Sequence, residues 1–170
     1  MIRLLGAALL IMGCGGLGLS AVNRLDSRVR DLRELSAGLE ILQRELGWRL
    51  TPLPNALEAA AGGTHERAAR FFAFCAQGSK QLAGAPFRTL WIKGLEQCPL
   101  RLSREDKALL EQLGSVLGRY DGDSQRQAVE SVLGGLSRQK AQAEEDRRRL
   151  GRVYGVLGLT AGLFLTLVLI

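Results

Sequence analysis

Apolar residues at both ends of the chain flank a charged middle, and each end is long enough for a membrane helix. Val153–Ile170 contains eighteen residues without a charge, and as a helix it would be about 27 Å long, close to the thickness of a bilayer's hydrocarbon layer. Ile2–Val22 is apolar or small except for Arg3. Since a helix satisfies its own backbone hydrogen bonds in lipid, we predict transmembrane helices over residues 2–22 and 153–170. A cleaved or lipidated signal is the alternative for the first segment, because Ile11–Cys14 resembles a lipoprotein cleavage site.

Heptad spacing continues each apolar end into the charged middle. Two stripes of apolar residues recur every seven positions, at Leu25, Leu32, Leu39 and Leu46 and again at Val129, Leu136, Ala143 and Leu150. Neither stretch contains proline, so each is predicted to form one helix that runs unbroken into its membrane span. Such stripes favour antiparallel, coiled-coil-like packing. This pairing would set Leu25 level with Leu150, and Leu46 near Val129.

Four shorter helices are predicted between these two long ones, over residues 51–61, 67–77, 87–95 and 103–117. Thr51-Pro52 and Thr64 are predicted N-terminal caps, and Ser103 with Asp106 forms a predicted capping box. Glycine or proline separates the segments, and no run alternates in the manner of a strand. The predicted fold is therefore all-α, an antiparallel bundle of about six helices over residues 23–152 between two transmembrane helices.

Arginines border both predicted spans and account for much of the net charge of +6. They are Arg24, Arg28, Arg30, Arg33, Arg147, Arg148, Arg149 and Arg152. By the positive-inside rule, the middle of the chain is predicted to be cytosolic, with both termini across a cell membrane. The arginines are then candidates for contact with anionic lipid, and a solvated helix face is the alternative. Nucleic acid is a poorer partner, since the arginines lie near the membrane and no recognition helix is visible.

Thiol and imidazole chemistry find little support in the sequence. The cysteines, Cys14, Cys75 and Cys98, are odd in number and scattered, and His65 is the single histidine. Without a CxxC spacing or a clustered ligand set, neither a disulfide framework nor a zinc site is expected. Cys75 lies beside aromatic residues and is predicted to fill the core. We therefore expect no cofactor and no metal.

The most suggestive polar cluster spans residues 118–125. Asp121 and Asp123 resemble the start of a calcium loop, but Arg126 stands where an EF-hand needs glycine and Val132 where it needs glutamate. The alternatives are a helix cap, a docking corner or an acid–base pair. Antiparallel pairing would bring this cluster to the end farthest from the membrane, together with residues 51–53. The predicted partner-binding residues at this tip are Thr51, Pro52, Leu53, Asp121, Ser124 and Gln125.

The chain resembles the stage III sporulation protein AB family of endospore-forming bacteria over essentially its whole length. The resemblance is carried by the two terminal spans, Arg28–Arg33 with its leucine heptads, Thr51–Leu53, Leu117-Gly118 with Asp121 and Ser124-Gln125, and Tyr154 with Leu157-Gly158. Val29 departs from the family, in which proline is common. The resemblance implies a channel component linking mother cell and forespore, in the mother-cell membrane, with a cytosolic domain similar to type II secretion platform proteins. The partners it implies are a secretion-type ATPase and other channel subunits.

Our leading hypothesis is a non-enzymatic membrane platform whose tip docks another component of this machinery. The alternative is a membrane-anchored enzyme, or a metal or ligand sensor, that uses Asp121 and Asp123. The oligomeric state does not follow from the sequence.

Overall fold

The computed structural model describes residues 2–81, 84–118 and 122–169, and every regular element in these ranges is a helix. The elements are α1 (Ile2–Gly47), α2 (Leu53–Gly62), α3 (Glu66–Ser79), α4 (Phe87–Gln97), α5 (Arg104–Gly114) and α6 (Gly122–Leu169). The predicted all-α class with six helices is confirmed for the described part of the chain. Side chains are described for residues 20–81, 84–118, 123–151, 153, 156 and 160.

The helices form two compact units, which are described separately. The terminal unit comprises α1 as far as Val29 and α6 from Ala141 onward, and the central unit comprises Arg30–Lys140. Among the residues that the structure describes, no helix is long and apolar enough to cross a membrane. Most side chains of the predicted spans 2–22 and 153–170 lie outside the described set, as do Asp121 and the side chain of Arg152.

The predicted apolar stripes form the core of the central unit. On α1, Leu32, Leu35, Leu39 and Leu42 are completely buried, and on α6 Val129 and Leu136 are too. A Cβ atom at Gly47 would lie 3.0 Å from Cδ of Arg126, so the end of α1 lies beside the start of α6, as antiparallel pairing requires. Helix α5 packs against α6, where a Cβ at Gly135 would come within 3.0 Å of Leu109.

Aromatic side chains fill the space between the short helices. The rings of Phe71 and Trp91 meet edge to face with centroids 4.7 Å apart, and Phe72 packs against Phe71 at 5.3 Å. All three are fully buried. The Trp91 indole N–H donates a 2.7 Å hydrogen bond to the carbonyl oxygen of Leu110. This bond satisfies the polar atom of the largest core residue and joins α4 to α5.

A buried carboxylate connects α1 to two other segments of the central unit. Asp31 is 3% exposed, and both of its oxygens accept from Nη1 of Arg67, at 3.0 and 2.9 Å. Its Oδ2 also accepts a 2.7 Å hydrogen bond from the backbone N–H of Arg101. Because a buried charge requires a partner and hydrogen bonds, this arrangement fixes α3 and the segment before α5 against α1.

Two of the three predicted helix caps are wrong. Helix α2 begins at Leu53 after Pro52, without a side-chain cap, because the Thr51 hydroxyl donates to Glu45 instead. Helix α3 begins at Glu66, because the Thr64 hydroxyl donates back to the Ala60 carbonyl oxygen. Helix α6 begins at Gly122, so Asp123 and Ser124 lie inside its first turn and neither of them is its N-terminal cap. The capping box is confirmed, with Ser103 and Asp106 each accepting from the other's backbone N–H.

The close approach of Gly38 to Phe72 gives the first prediction. A Cβ atom at Gly38 would lie 2.1 Å from Cε2 of Phe72, so Gly38→Ala should lower the free energy of unfolding by about 1–3 kcal/mol. Gly134→Ala is the matched control, since Gly134 lies in α6 with open space around it; it should gain about 0.5–1 kcal/mol. Chemical denaturation of the full chain, followed by circular dichroism, measures both. Equal stability of the two variants would contradict the packing described.

The Asp31 cluster gives the second prediction. Asp31→Asn removes the charge that Arg67 and the Arg101 N–H require, and should lower the free energy of unfolding by about 2–4 kcal/mol. The control is Glu58→Gln, which weakens the Glu58–Lys80 ion pair, whose two side chains are 51% and 52% exposed. That loss should stay below about 1 kcal/mol, because solvent screens an exposed pair. The same denaturation experiment compares the two, and similar losses would show that Asp31 has no special role.

Candidate docking site

The loop between α1 and α2, residues 48–52, is fixed by one buried carboxylate. Glu45 is 6% exposed and accepts hydrogen bonds from Nη1 of Arg49 at 3.1 Å and from the Thr51 hydroxyl at 3.0 Å. The Thr51 backbone N–H also donates to the Glu45 carbonyl oxygen, at 3.0 Å. Leu50 has a φ of +50°, the left-handed conformation that commonly ends a helix. The loop therefore has a defined conformation set by a residue of α1.

This conformation directs two large apolar side chains into solvent. Trp48 is 84% exposed and Leu50 is 81% exposed, the highest values among the large apolar residues that the structure describes as exposed. Trp48 lies two positions beyond the last stripe residue, Leu46, and directly after α1, which ends at Gly47. We call Trp48 and Leu50 the apolar knob.

The predicted tip residues lie at the same end of the central unit, but they differ in exposure. Pro52 and Ser124 are exposed, and Thr51 and Leu53 are half-buried. The Leu53 side chain lies 3.8 Å from the position of a Cβ at Gly118, while Gly47 contacts Arg126. These contacts bring residues 47–53 together with Gly118 and Arg126. The docking role of the tip residues stays a prediction, with Asp121 outside the described residues.

Gln125 differs from the other tip residues because it is 8% exposed. Its side chain therefore contributes to the packing of the first turns of α6 and presents little surface to a partner. Ser124 and Asp123, its neighbours in the chain, are both exposed. Among residues 123–125, the polar groups exposed to a partner are therefore the Asp123 carboxylate and the Ser124 hydroxyl.

Arginines neighbour the apolar knob: Arg49 lies between its two residues, and the Arg44 carbonyl oxygen accepts from the Trp48 N–H. Arg44 and Arg126 are exposed, and the Arg49 side chain is 69% exposed. Arg126 lies beside Gly47, the residue before Trp48. The Glu45 carboxylate is held within the loop, so it offsets Arg49 without presenting an exposed negative charge. This surface therefore combines two apolar groups with arginine, which suits a partner that carries carboxylates.

Sequence reasoning missed the apolar knob, although one signal was present. Gly47 follows the heptad stripe and precedes Trp48-Arg49-Leu50 and Pro52. A tryptophan and a leucine between a glycine and a proline lie outside either predicted helix, where periodicity does not require their burial. Apolar residues in such a short connection are a direct reason to look for an exposed contact surface.

The arginines predicted to face the membrane include two that pair across helices in the terminal unit. Nη1 of Arg28 lies 4.0 Å from Oδ2 of Asp146, and Arg147 forms an ion pair with Asp26. Asp26 of α1 pairs with Arg147 of α6, and the later Arg28 of α1 pairs with the earlier Asp146 of α6. The two helices are therefore antiparallel in this unit. Arg24, Arg148 and Arg149 are exposed, as are Arg30 and Arg33 in the central unit. Contact of any of these arginines with lipid stays a prediction.

A groove of about 500 Å³ lies beside the turn at Gly118. Among described residues it is lined by Pro86, Phe87, Arg88, Gly114, Ser115, Leu117 and Gly118. Arg88 is the one charged side chain in that set, and the set contains no carboxylate, thiol or imidazole. The described lining therefore offers no pair of groups for acid–base chemistry.

No group of three or more His, Cys, Asp or Glu side chains within the described residues could hold a metal ion. His65 is an exposed residue at the start of α3, where its backbone N–H and its Nδ1 lie 2.9 and 3.3 Å from Oε2 of Glu34. Asp123 is exposed in the first turn of α6. Since Asp121 lies outside the described residues, the sensor or enzyme that would use both aspartates stays untested.

The two described cysteines behave as packing residues. Cys75 is fully buried, and a Cβ at Gly94 would lie 3.2 Å from its Sγ. Burial, with a smaller effect from the nearby Cys98, raises the pKa of the Cys75 thiol far above its ordinary value. Burial also raises the pKa of Cys98, against an opposing effect of Arg70. Both thiols are therefore protonated and weakly nucleophilic at neutral pH.

Comparison with known proteins gives one consistent result. The family model for stage III sporulation protein AB matches residues 3–170. Stage III sporulation protein AB of Bacillus subtilis (strain 168) is 30% identical over 172 residues, which cover 99% of each protein. A solved structure of stage III sporulation protein AB (SpoIIIAB) aligns with a TM-score of 0.66 and 26% identity, over 72% of this chain and 98% of the solved chain.

Alkylation of the cysteines gives the third prediction. In the native chain, iodoacetamide should leave Cys75 unmodified and should label Cys98 slowly. The Cys98 rate should keep rising with pH beyond the point where the rate of an unburied thiol levels off, because burial raises the pKa of Cys98. Peptide-resolved mass spectrometry measures each site, and denaturant should make both react alike. If native Cys75 reacts as fast as Cys98, its burial is wrong.

Proposed function

Because the chain belongs to the stage III sporulation protein AB family, we propose that it is a non-enzymatic membrane platform of the channel that links mother cell and forespore. In this proposal, residues 2–22 and 153–170 span the mother-cell membrane and residues 23–152 lie in the cytosol. The end of the central unit that carries residues 47–53 and 118–126 docks another channel component. A secretion-type ATPase is the first partner to test, as the family resemblance implies.

One observation carries the docking assignment. Two segments that are distant in sequence meet at one end of the central unit, through the contacts of Gly47 with Arg126 and of Gly118 with Leu53. There, Glu45 holds the α1–α2 loop in one conformation by accepting from both Arg49 and Thr51. A surface that is already ordered loses little conformational entropy when a partner binds, which favours docking.

The terminal unit supports the membrane assignment. Its two helices are joined by the ion pairs Arg28–Asp146 and Arg147–Asp26, and the unit includes both stretches for which membrane spans are predicted. Arg24, Arg148 and Arg149 are exposed beside these pairs. Exposed arginines at the borders of apolar stretches suit the anionic surface of a cytoplasmic leaflet.

Cross-linking from the tip tests the proposal and is the fourth prediction. A photo-activatable amino acid at Ser124 of the full chain, in sporulating cells, should give an adduct with the ATPase or another channel subunit. The same probe at Glu96, which is exposed at the far end of α4, is the matched control and should give none. The difference follows from the position of Ser124 beside the docking surface.

A functional readout accompanies the cross-linking. The double variant Pro52→Glu/Ser124→Glu changes two exposed residues, so the chain should fold and reach the membrane normally. We expect a large fall in heat-resistant spores, because two bulky charges would obstruct the docking surface. A folded, membrane-located variant with a normal spore count, together with no adduct from Ser124, would refute docking at this end.

A further inference from the structure

The apolar knob combines exposure with a restrained backbone, and the two together require an explanation. Single exposed apolar residues are ordinary on protein surfaces. Here, however, Trp48 and Leu50 are two residues apart in one loop and are 84% and 81% exposed. The buried Glu45 fixes that loop through Arg49 and Thr51. Two large apolar side chains are thus held in solvent by dedicated hydrogen bonds.

The backbone at Leu50 supports the same view. Its φ of +50° is a conformation that glycine adopts without penalty and leucine does not. Since the Leu50 side chain is almost fully exposed, its own contacts do not compensate for this strain. The hydrogen bonds of Arg49 and Thr51 to Glu45 hold the backbone in this conformation. A residue with a strained backbone whose side chain does not pack in the fold is expected to have a function, such as binding a partner.

The surroundings of the knob define what it would contact. Arg44 and Arg49 neighbour it in the chain, Arg126 lies beside Gly47, and all three are exposed. The Glu45 carboxylate, which pairs with Arg49, is buried. Tryptophan and arginine are enriched among the residues that dominate binding energy at protein interfaces. The complementary surface is therefore an apolar pocket for Trp48 and Leu50, bordered by carboxylates that face the arginines.

We propose that the apolar knob inserts into an apolar pocket rimmed by Asp and Glu side chains on a partner protein that is not a second copy of this chain. The inference rests on the proposed docking function and specifies its anchor residues and the chemistry of its partner. The Gly118 groove is a poor receptor for the knob of a second copy, because its one charged lining residue in the described set, Arg88, would face like charges. The net charge of +6 also disfavours self-association.

Two substitutions separate the knob from the stability of the fold. Trp48→Ala removes a side chain that is 84% exposed, and Leu50→Gly relieves the strained conformation, so neither should destabilise the chain. Arg126→Glu reverses one charge beside the knob. Lys93→Glu is its control, since Lys93 is exposed in the middle of α4.

The fifth prediction combines cross-linking with binding. A photo-activatable residue at position 48 of the full chain, in sporulating cells, should give an adduct that maps to apolar residues flanked by Asp or Glu on another protein. With that protein purified, Trp48→Ala should weaken binding about 30-fold or more. Leu50→Gly and Arg126→Glu should also weaken it, Lys93→Glu should not, and added salt should weaken the wild-type complex.

The other outcomes overturn the proposal in distinguishable ways. An adduct with a second copy, with lipid, or with a protein site that lacks acidic residues would refute the assigned partner chemistry. No adduct from position 48, together with an adduct from Ser124, would refute the knob and leave docking at the tip intact. No adduct from either position would refute both the knob and the proposed function.

Discussion

The apolar stripe of α1 organises the central unit, because α2 and α3 pack against α1 and support the helices that follow. Helices α2 to α5 have only 10–14 residues each, lengths at which an isolated helix is marginal in water. Their residues meet α1 at several levels: Phe72 closes over Gly38, and the side chain of Ile41 occupies the space beside Gly63. Each completely buried leucine of the stripe contributes about 1.5–3 kcal/mol, so this one face of α1 contributes substantially to the stability of the unit.

Two buried carboxylates on α1 add the specificity that an apolar stripe lacks. Leucines seven residues apart tolerate more than one register, whereas a buried charge is acceptable only where its hydrogen-bond donors meet it. Asp31 meets Arg67 and the Arg101 N–H, and Glu45 meets Arg49 and Thr51. The first fixes where other helices pack on α1, and the second fixes how the chain leaves it. The proposed docking surface therefore depends on α1, the helix whose stripe also contributes to the core.

Sequence reasoning succeeded where the determining interactions are local or periodic, and it failed elsewhere. The stripes of α1 and α6 and the Ser103–Asp106 capping box were predictable from spacing alone. The caps at Thr51 and Thr64 were wrong because each hydroxyl found another acceptor, and hydrogen-bond competition does not show in a pattern. Asp31 was missed because its partners lie 36 and 70 residues away. Trp48 and Leu50 were missed because exposure of the α1–α2 loop depends on Glu45, which resembled an ordinary helical residue.

The bond from Asp31 to residue 101 uses the backbone of that residue and leaves its side chain exposed. Relatives of this protein are therefore free to substitute position 101 widely, with proline as the exception because it has no N–H to donate. Position 67 has no such freedom, since Nη1 of the Arg67 side chain donates to both carboxylate oxygens. Two partners of one carboxylate are thus expected to evolve under very different constraints.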